Sequence, residues 1–191
     1  MTTRRIVLAI SGASGMIHAF SLARALRAVS GLEVHGIISD GARQVLRHEL
    51  GTDGAELEAC FHYLHDPANV AAPPASGSWP HQGMIVCPCS MASLAAIACG
   101  VGSNLLHRAA DVTLKERRPL ILVPRETPLH EIHLRNMLRA QRAGAVIMPP
   151  CPGFYHRPET LDALVAQFSG RVLEQLGLDH DLYARWGGPV A

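Results

Sequence analysis

The chain has no charge imbalance: 17 Lys and Arg face 16 Asp and Glu, a formal net charge of +1. Without an excess of either sign there is no general pull toward nucleic acid or an anionic membrane, so any anion must be met by a few placed cations. Long apolar runs are missing too, and none reaches the roughly 18 residues that would read as a membrane span. Arg4 and Arg5 precede an apolar stretch that could imitate a secretion signal. However, Ser11, Gly12, Ser14 and Gly15 interrupt it, and no clear cleavage site follows.

Metal and disulfide patterns are also lacking. The five cysteines, Cys60, Cys87, Cys89, Cys99 and Cys151, are odd in number and form no disulfide framework. Reduced thiols in a cytoplasm are the simplest reading. Cys87 and Cys89 have no second pair to complete a zinc site, and His130 with His133 is not a His-Glu-x-x-His motif, so no metal is expected. There is no Gly-x-Gly-x-x-Gly and no Gly-Lys-Ser/Thr, which disfavours a dinucleotide or a nucleoside triphosphate. The Asp-rich motif that holds magnesium and diphosphate in most isoprenyl enzymes is absent.

What is present suits a folded core. At 191 residues, 48% apolar and 17% charged, the chain reads as a single domain over 1–191. Ile6 to Ile10 reads as a buried parallel strand, and the turn Ser11-Gly12-Ala13-Ser14-Gly15 leads into a helix from Met16 to Val29. A strand over 32–39 and a helix over 42–50 continue a β-α-β-α start. Residues 66–83 hold four prolines, Pro67, Pro73, Pro74 and Pro80, and read as a long functional or mobile loop. Further strands are expected over 84–86, 120–123 and 145–148, with helices over 91–99, 104–117, 131–143 and 160–176. This alternation specifies an α/β fold, a doubly wound and mostly parallel sheet of about five strands with helices on both faces, flavodoxin-like or Rossmann-like.

In such sheets ligands sit beyond the carboxyl ends of the strands. The residues that follow each strand are unusual: Gly12 to Gly15, then Ser39, then Cys89 and Ser90, then Arg125 and Glu126, then 149–155. Small residues and a helix start make the first turn able to hold a monophosphate, although a tight strand-to-helix turn has the same composition. Ser90 suits either a helix cap or a hydroxyl aimed at a ligand. Arg125 and Glu126 follow a core strand directly, and read either as a salt-bridged loop or as site residues.

Several strings, taken in order, resemble one family. They are Ile10-Ser11-Gly12-Ala13-Ser14-Gly15, Ala72-Pro73-Pro74-Ala75-Ser76-Gly77-Ser78, Cys87-Pro88-Cys89-Ser90 and Arg108-Ala109-Ala110-Asp111. Next come Leu114-Lys115-Glu116-Arg117-Arg118-Pro119, Pro124-Arg125-Glu126-Thr127-Pro128, Gly153-Phe154-Tyr155-His156 and Ala184-Arg185-Trp186-Gly187. The set is similar to the UbiX-type flavin prenyltransferases, flavoproteins associated with phenylacrylic acid decarboxylation, over about residues 5–187. The resemblance implies metal-free transfer of a dimethylallyl group from dimethylallyl monophosphate to N5 and then C6 of reduced FMN. The product would pass to a UbiD-type decarboxylase. A dodecamer with sites between subunits is implied, with the tail over 177–191 packing at a subunit interface.

Carried over by position, the resemblance places Gly12, Ala13, Ser14, Ser39, Ser90, Met91, Ala92, Ser93 and Arg125 around FMN. Lys115, Arg125, Tyr155 and Arg171 would hold the prenyl phosphate. Ser14, Glu49 and Glu126 are implied in catalysis as a proton relay. Ala75-Ser76-Gly77 would close over the site, and Arg108 and Trp186 match pocket positions. An aromatic content of 5% agrees with a flavin face, rather than protein rings, stabilising the cation-like carbon. Two other functions share these features. A flavin-dependent cysteine decarboxylase would need a Pro-x-Met-Asn-x-x-Met segment, which is not found. An FMN carrier for a decarboxylase would keep the phosphate turn without needing the cluster of Lys115, Arg125, Glu126, Tyr155 and Arg171.

Overall fold

The computed structural model describes residues 3–185 and 187, so Trp186 and residues 188–191 lie outside the described residues. Strand β1 (Arg4–Ile10) leads to helix α1 (Met16–Ala28), β2 (Leu32–Ile38), α2 (Asp40–Leu50) and a short α3 (Ala55–Glu58). Then follow β3 (Tyr63–His65), a 3-10 turn at Pro73–Ala75, β4 (Gly83–Cys89), α4 (Met91–Cys99) and α5 (Leu105–Lys115). The chain finishes with β5 (Leu120–Pro124), α6 (Glu131–Arg142), β6 (Val146–Ile147) and α7 (Leu161–Gln175).

The strands form one six-stranded sheet in the order β3-β2-β1-β4-β5-β6. Every pairing is parallel. The sheet thus has one strand more than the sequence suggests. The addition, β3, is a three-residue edge strand, pairing His35 with Tyr63 and Ile37 with His65.

Period-two alternation divides the core between the two faces. In β1, Ile6, Leu8 and Ile10 join α1, α2 and α7 residues such as Leu22, Leu46 and Phe168 on one face. Val7 and Ala9 face the other way and join Leu94, Leu105, Leu106 and Ala140 from α4, α5 and α6. A fully buried side chain such as Leu8 is worth keeping, since Leu-to-Ala truncation in a core costs about 2–5 kcal/mol. Cys87 and Cys89 belong to this core. Burial raises both thiols, that of Cys89 to about 12, which makes them packing residues rather than nucleophiles.

Strand order fixes where a site can form. β1 and β4 are neighbours, and the chain winds outward from them in opposite directions. Their carboxyl ends therefore open the crevice of a doubly wound sheet. The turns after β1 and β4 are Ser11 to Gly15 and Ser90.

Candidate functional site

The first turn is built around two glycines. A Cβ on Gly12 would lie 2.9 Å from the carbonyl carbon of Gly41, so the turn packs backbone to backbone against the start of α2. Gly15, the N-cap of α1, has φ 106°, a left-handed conformation that favours glycine. Gly15 brings no side chain to cap α1, and Glu49 of α2 does so instead. One Glu49 carboxylate oxygen accepts the Met16 N–H at 2.9 Å, and both lie 3.0 Å from the Gly15 nitrogen. Burial pushes the Glu49 carboxyl upward. Hydrogen bonds from the Ser14 hydroxyl and the Met16 and Gly15 N–H groups, with the nearby Arg125 charge, outweigh that and hold it below its ordinary value. Ser14, Glu49 and Arg125 therefore converge. The positive end of α1, expected to face a phosphate, is occupied by a protein carboxylate.

The second turn supplies the donors that the first has used. Ser90 caps α4, its Oγ accepting the Ser93 N–H at 3.2 Å and donating to Ser93 Oγ at 3.1 Å. The first-turn N–H groups of Met91 and Ala92 have no acceptor inside their helix. Ser39 caps α2 in the same way, through the Ala42 N–H at 3.2 Å. Arg125 N–H reaches the Cys89 carbonyl at 3.3 Å, which ties the end of β5 to this turn and leaves the side chain exposed. Small residues at 12 and 13, capping hydroxyls, free helix N–H groups and one guanidinium suit a flat ligand carrying a phosphate, and FMN fits that description. Glu126 is exposed, and its carboxylate accepts the Thr127 N–H at 2.9 Å.

The remaining expected residues gather elsewhere. Lys115 ends α5 before β5 begins, whereas Arg125 follows β5, so roughly 16 Å of strand separates their levels. Lys115 pairs with Glu116, and both crowd Gly77. Arg118 donates to the carbonyls of Trp79 and Gly77 at 2.9 and 2.8 Å. Ala75-Ser76-Gly77 therefore lies beside Lys115, not over Ser14 and Arg125 of the same chain. Of the two readings of this loop, functional or mobile, the Arg118 contacts speak against the mobile one around Gly77.

Arg171 on α7 pairs with Glu174, which also accepts from Tyr183 Oη at 2.7 Å. These residues line a cleft of about 660 Å³ with Gln167 and Arg185. Tyr155 is exposed in the loop after β6 and lies against Gly153. Arg108 pairs with Asp111 at 2.7 Å on the rim of a second cleft of about 400 Å³. The described part of the tail includes Leu178, buried against the chain's own core. Among the described residues, no group of three or more His, Cys, Asp and Glu is placed to hold a metal ion. No helix among them is long and apolar enough to cross a membrane.

One residue escaped the sequence reading. Ser11 is buried at the end of β1, where its hydroxyl joins the two turns. The available signal was a hydroxyl closing an otherwise apolar strand.

Comparison with known proteins agrees with this fold. The flavoprotein family model matches residues 1–170. The flavin prenyltransferase UbiX of Methanothermobacter thermautotrophicus is 45% identical over 185 residues, covering 97% of this chain and 96% of its own. A UbiX crystal structure in complex with FMN and dimethylallyl pyrophosphate is similar with a TM-score of 0.96 at 45% identity, covering 99% of this chain and 100% of that one. A dodecameric FMN-dependent UbiX-like decarboxylase from Escherichia coli O157:H7 gives a TM-score of 0.93 at 43% identity, covering 96% and 100%. This chain belongs to the flavoprotein family and, within it, to the UbiX-type flavin prenyltransferases.

Proposed function

We propose that this chain joins a dimethylallyl group to N5 and then C6 of reduced FMN, without a metal, for use by a UbiD-type decarboxylase. The observation that carries the reading is the near-complete likeness to a UbiX structure solved with FMN and dimethylallyl pyrophosphate. Reduced FMN supplies the nucleophilic ring atoms and a flat face beside the developing allylic cation.

The chain's own residues do the rest. Gly12, Ala13, Ser39, Met91, Ala92 and Ser93 line the flavin, and Ser90 with the start of α4 meets its phosphate. As the donor's C–O bond breaks, negative charge grows on the departing phosphate. Arg125, Lys115, Arg171 and the Tyr155 hydroxyl stabilise it. Lys115 and Arg125 sit at opposite ends of β5 in one chain, so a complete phosphate site needs a neighbouring subunit. The dodecameric relative from Escherichia coli O157:H7 supports such an assembly here. Bonding at N5 releases the N5 proton; closure then adds a proton to the prenyl double bond as the ring carbon attacks it, and C6 gives up its own proton. Ser14 passes the C6 proton toward Glu49, whose carboxylate is kept ionised. Glu126, next to Arg125 in the chain, is a second acidic group for that step. The reaction is assigned to the cytoplasm, where free thiols such as those of Cys87 and Cys89 stay reduced.

The test is a mass spectrum of the flavin after anaerobic incubation with reduced FMN and dimethylallyl monophosphate, then with the diphosphate. A gain of about 68 Da, the mass of C5H8, establishes covalent transfer. The more active donor fixes the phosphate number. Flavin that binds but stays unmodified with both donors makes the chain a carrier.

A further inference from the structure

Ser11 has no contact partner in the proposed chemistry, yet its side chain is placed with unusual economy. It follows five fully buried apolar residues of β1 and is itself 1% exposed. A hydroxyl buried in that position is costly unless all its bonding is met. Here it is met twice by one strand end. Ser11 Oγ donates to the Pro88 carbonyl at 3.0 Å and accepts the Ser90 N–H at 2.7 Å. The Ser11 backbone N–H reaches the same Pro88 carbonyl at 3.1 Å, and the Ser11 carbonyl accepts from Ala13 N–H at 2.8 Å.

These bonds fall where the ordinary sheet ladder stops. The β1–β4 register ends at Ala9 and Val86, and β4 shifts against β5 between Val86 and Cys89. Beyond that point no ladder fixes the two turns relative to each other. Ser11 takes over: its carbonyl holds the Gly12-Ala13-Ser14 turn, and its hydroxyl holds the residue that caps α4. A relay continues outward, because Ser90 Oγ in turn bonds Ser93 at both its N–H and its Oγ.

We infer that Ser11 is a positioning residue for flavin binding: it sets the spacing between the first turn and the start of α4, the two segments that the proposed site uses to hold FMN. It touches no ligand and moves no proton. The inference rests on the proposed flavin site, and the test separates the two.

FMN affinity, prenyl-donor KM and thermal midpoint are measured for the wild type, Ser11→Ala, Ser11→Cys and Ser169→Ala. Ser169 is the control, a buried serine bonded to Ser21 at 2.7 Å between α7 and α1, away from both turns. Ser11→Ala leaves the Ser90 N–H without an acceptor, and its Kd for FMN is expected to rise about tenfold, the size of one lost buried hydrogen bond. Donor KM should change far less. Ser11→Cys keeps a weak donor and acceptor, should fall between, and covers the case in which Ser11→Ala does not fold. Ser169→Ala should lower the thermal midpoint and leave Kd unchanged. Equal FMN affinity in the wild type and the folded Ser11 variants overturns the role of Ser11. A wild type that fails to bind FMN overturns the flavin site itself.

Discussion

Glu49 and Met16 are separated by 33 positions in sequence, yet carboxylate and backbone N–H meet at 2.9 Å, so α2 supplies the cap that α1 lacks. The pairing gives the first helix end a fixed anion and gives Ser14 a fixed acceptor. Glu49→Gln should cost about 1 kcal/mol of stability, as lost caps do. It should also slow prenyl transfer by roughly a hundredfold if Glu49 takes the proton. Unchanged turnover would remove Glu49 from the relay and leave Glu126→Gln as the next variant to assay.

The same carboxyl carries a sign in acid. Its folded pKa lies below the ordinary 4.5, so its stabilisation is complete above 4.5 and is lost as pH falls through the folded value. The wild type and Glu49→Gln should therefore differ in thermal midpoint near neutrality and converge in strong acid. A gap that stays constant with pH would mean the contact is not electrostatic.

Two histidines act at higher pH. Burial first, then smaller charge effects, lower His35 and His81 from 6.5 to about 4. Below 6.5 the unfolded chain takes up protons that the folded chain refuses, so stability should decline from 6.5 toward 4. His81 lies against the Gly83 carbonyl at 3.1 Å, and His81→Gln keeps a polar group there. Urea titrations should show that this variant has the shallower pH dependence. An identical slope would place His81 in contact with water in the folded state.

Lys115 and Arg125 provide the test of a shared site. Lys115→Ala and Arg125→Ala should each reduce turnover by about a hundredfold or more, as loss of a charge-stabilising group does. If the two belong to different subunits of one site, mixed oligomers should regain activity. With random equal mixing, roughly a quarter of sites carry both native residues. No recovery in verified hybrids would place both residues in one chain's site.

Arg118 straps the loop between β3 and β4 by bonding two of its carbonyls. Arg118→Ala should release the segment around Gly77, and limited proteolysis should then cut there first. Donor KM should rise more than FMN Kd, because Gly77 lies beside Lys115. Unaltered proteolysis would show that buried Ala72 and Pro74 hold the loop without the strap.

Much of this was legible in the residues. Apolar runs such as Leu120 to Val123 announced strands, and the small or charged residues after them announced the edge where Ser14, Ser90 and Arg125 meet. β3 was not legible, because Tyr63, Leu64 and His65 are too few for a period and exist as a strand only through pairing with β2. Glu49 could be assigned by resemblance, but its cap on α1 depends on how α2 crosses the turn. The split between Lys115 and Arg125 was readable from order alone, since one precedes β5 and the other follows it. Ser11 showed only as a hydroxyl closing an apolar strand, and its hydrogen bond to residue 90 could not be read from that.

The Gly12–Gly41 approach and the Glu49 cap touch the same helix near its two ends, so the Gly12-to-Met16 segment lies splinted along α2. An incoming ligand therefore meets backbone already ordered, and little conformational entropy is lost on association. Fluorescence-detected flavin association should then proceed in a single phase, with no slow step for loop ordering.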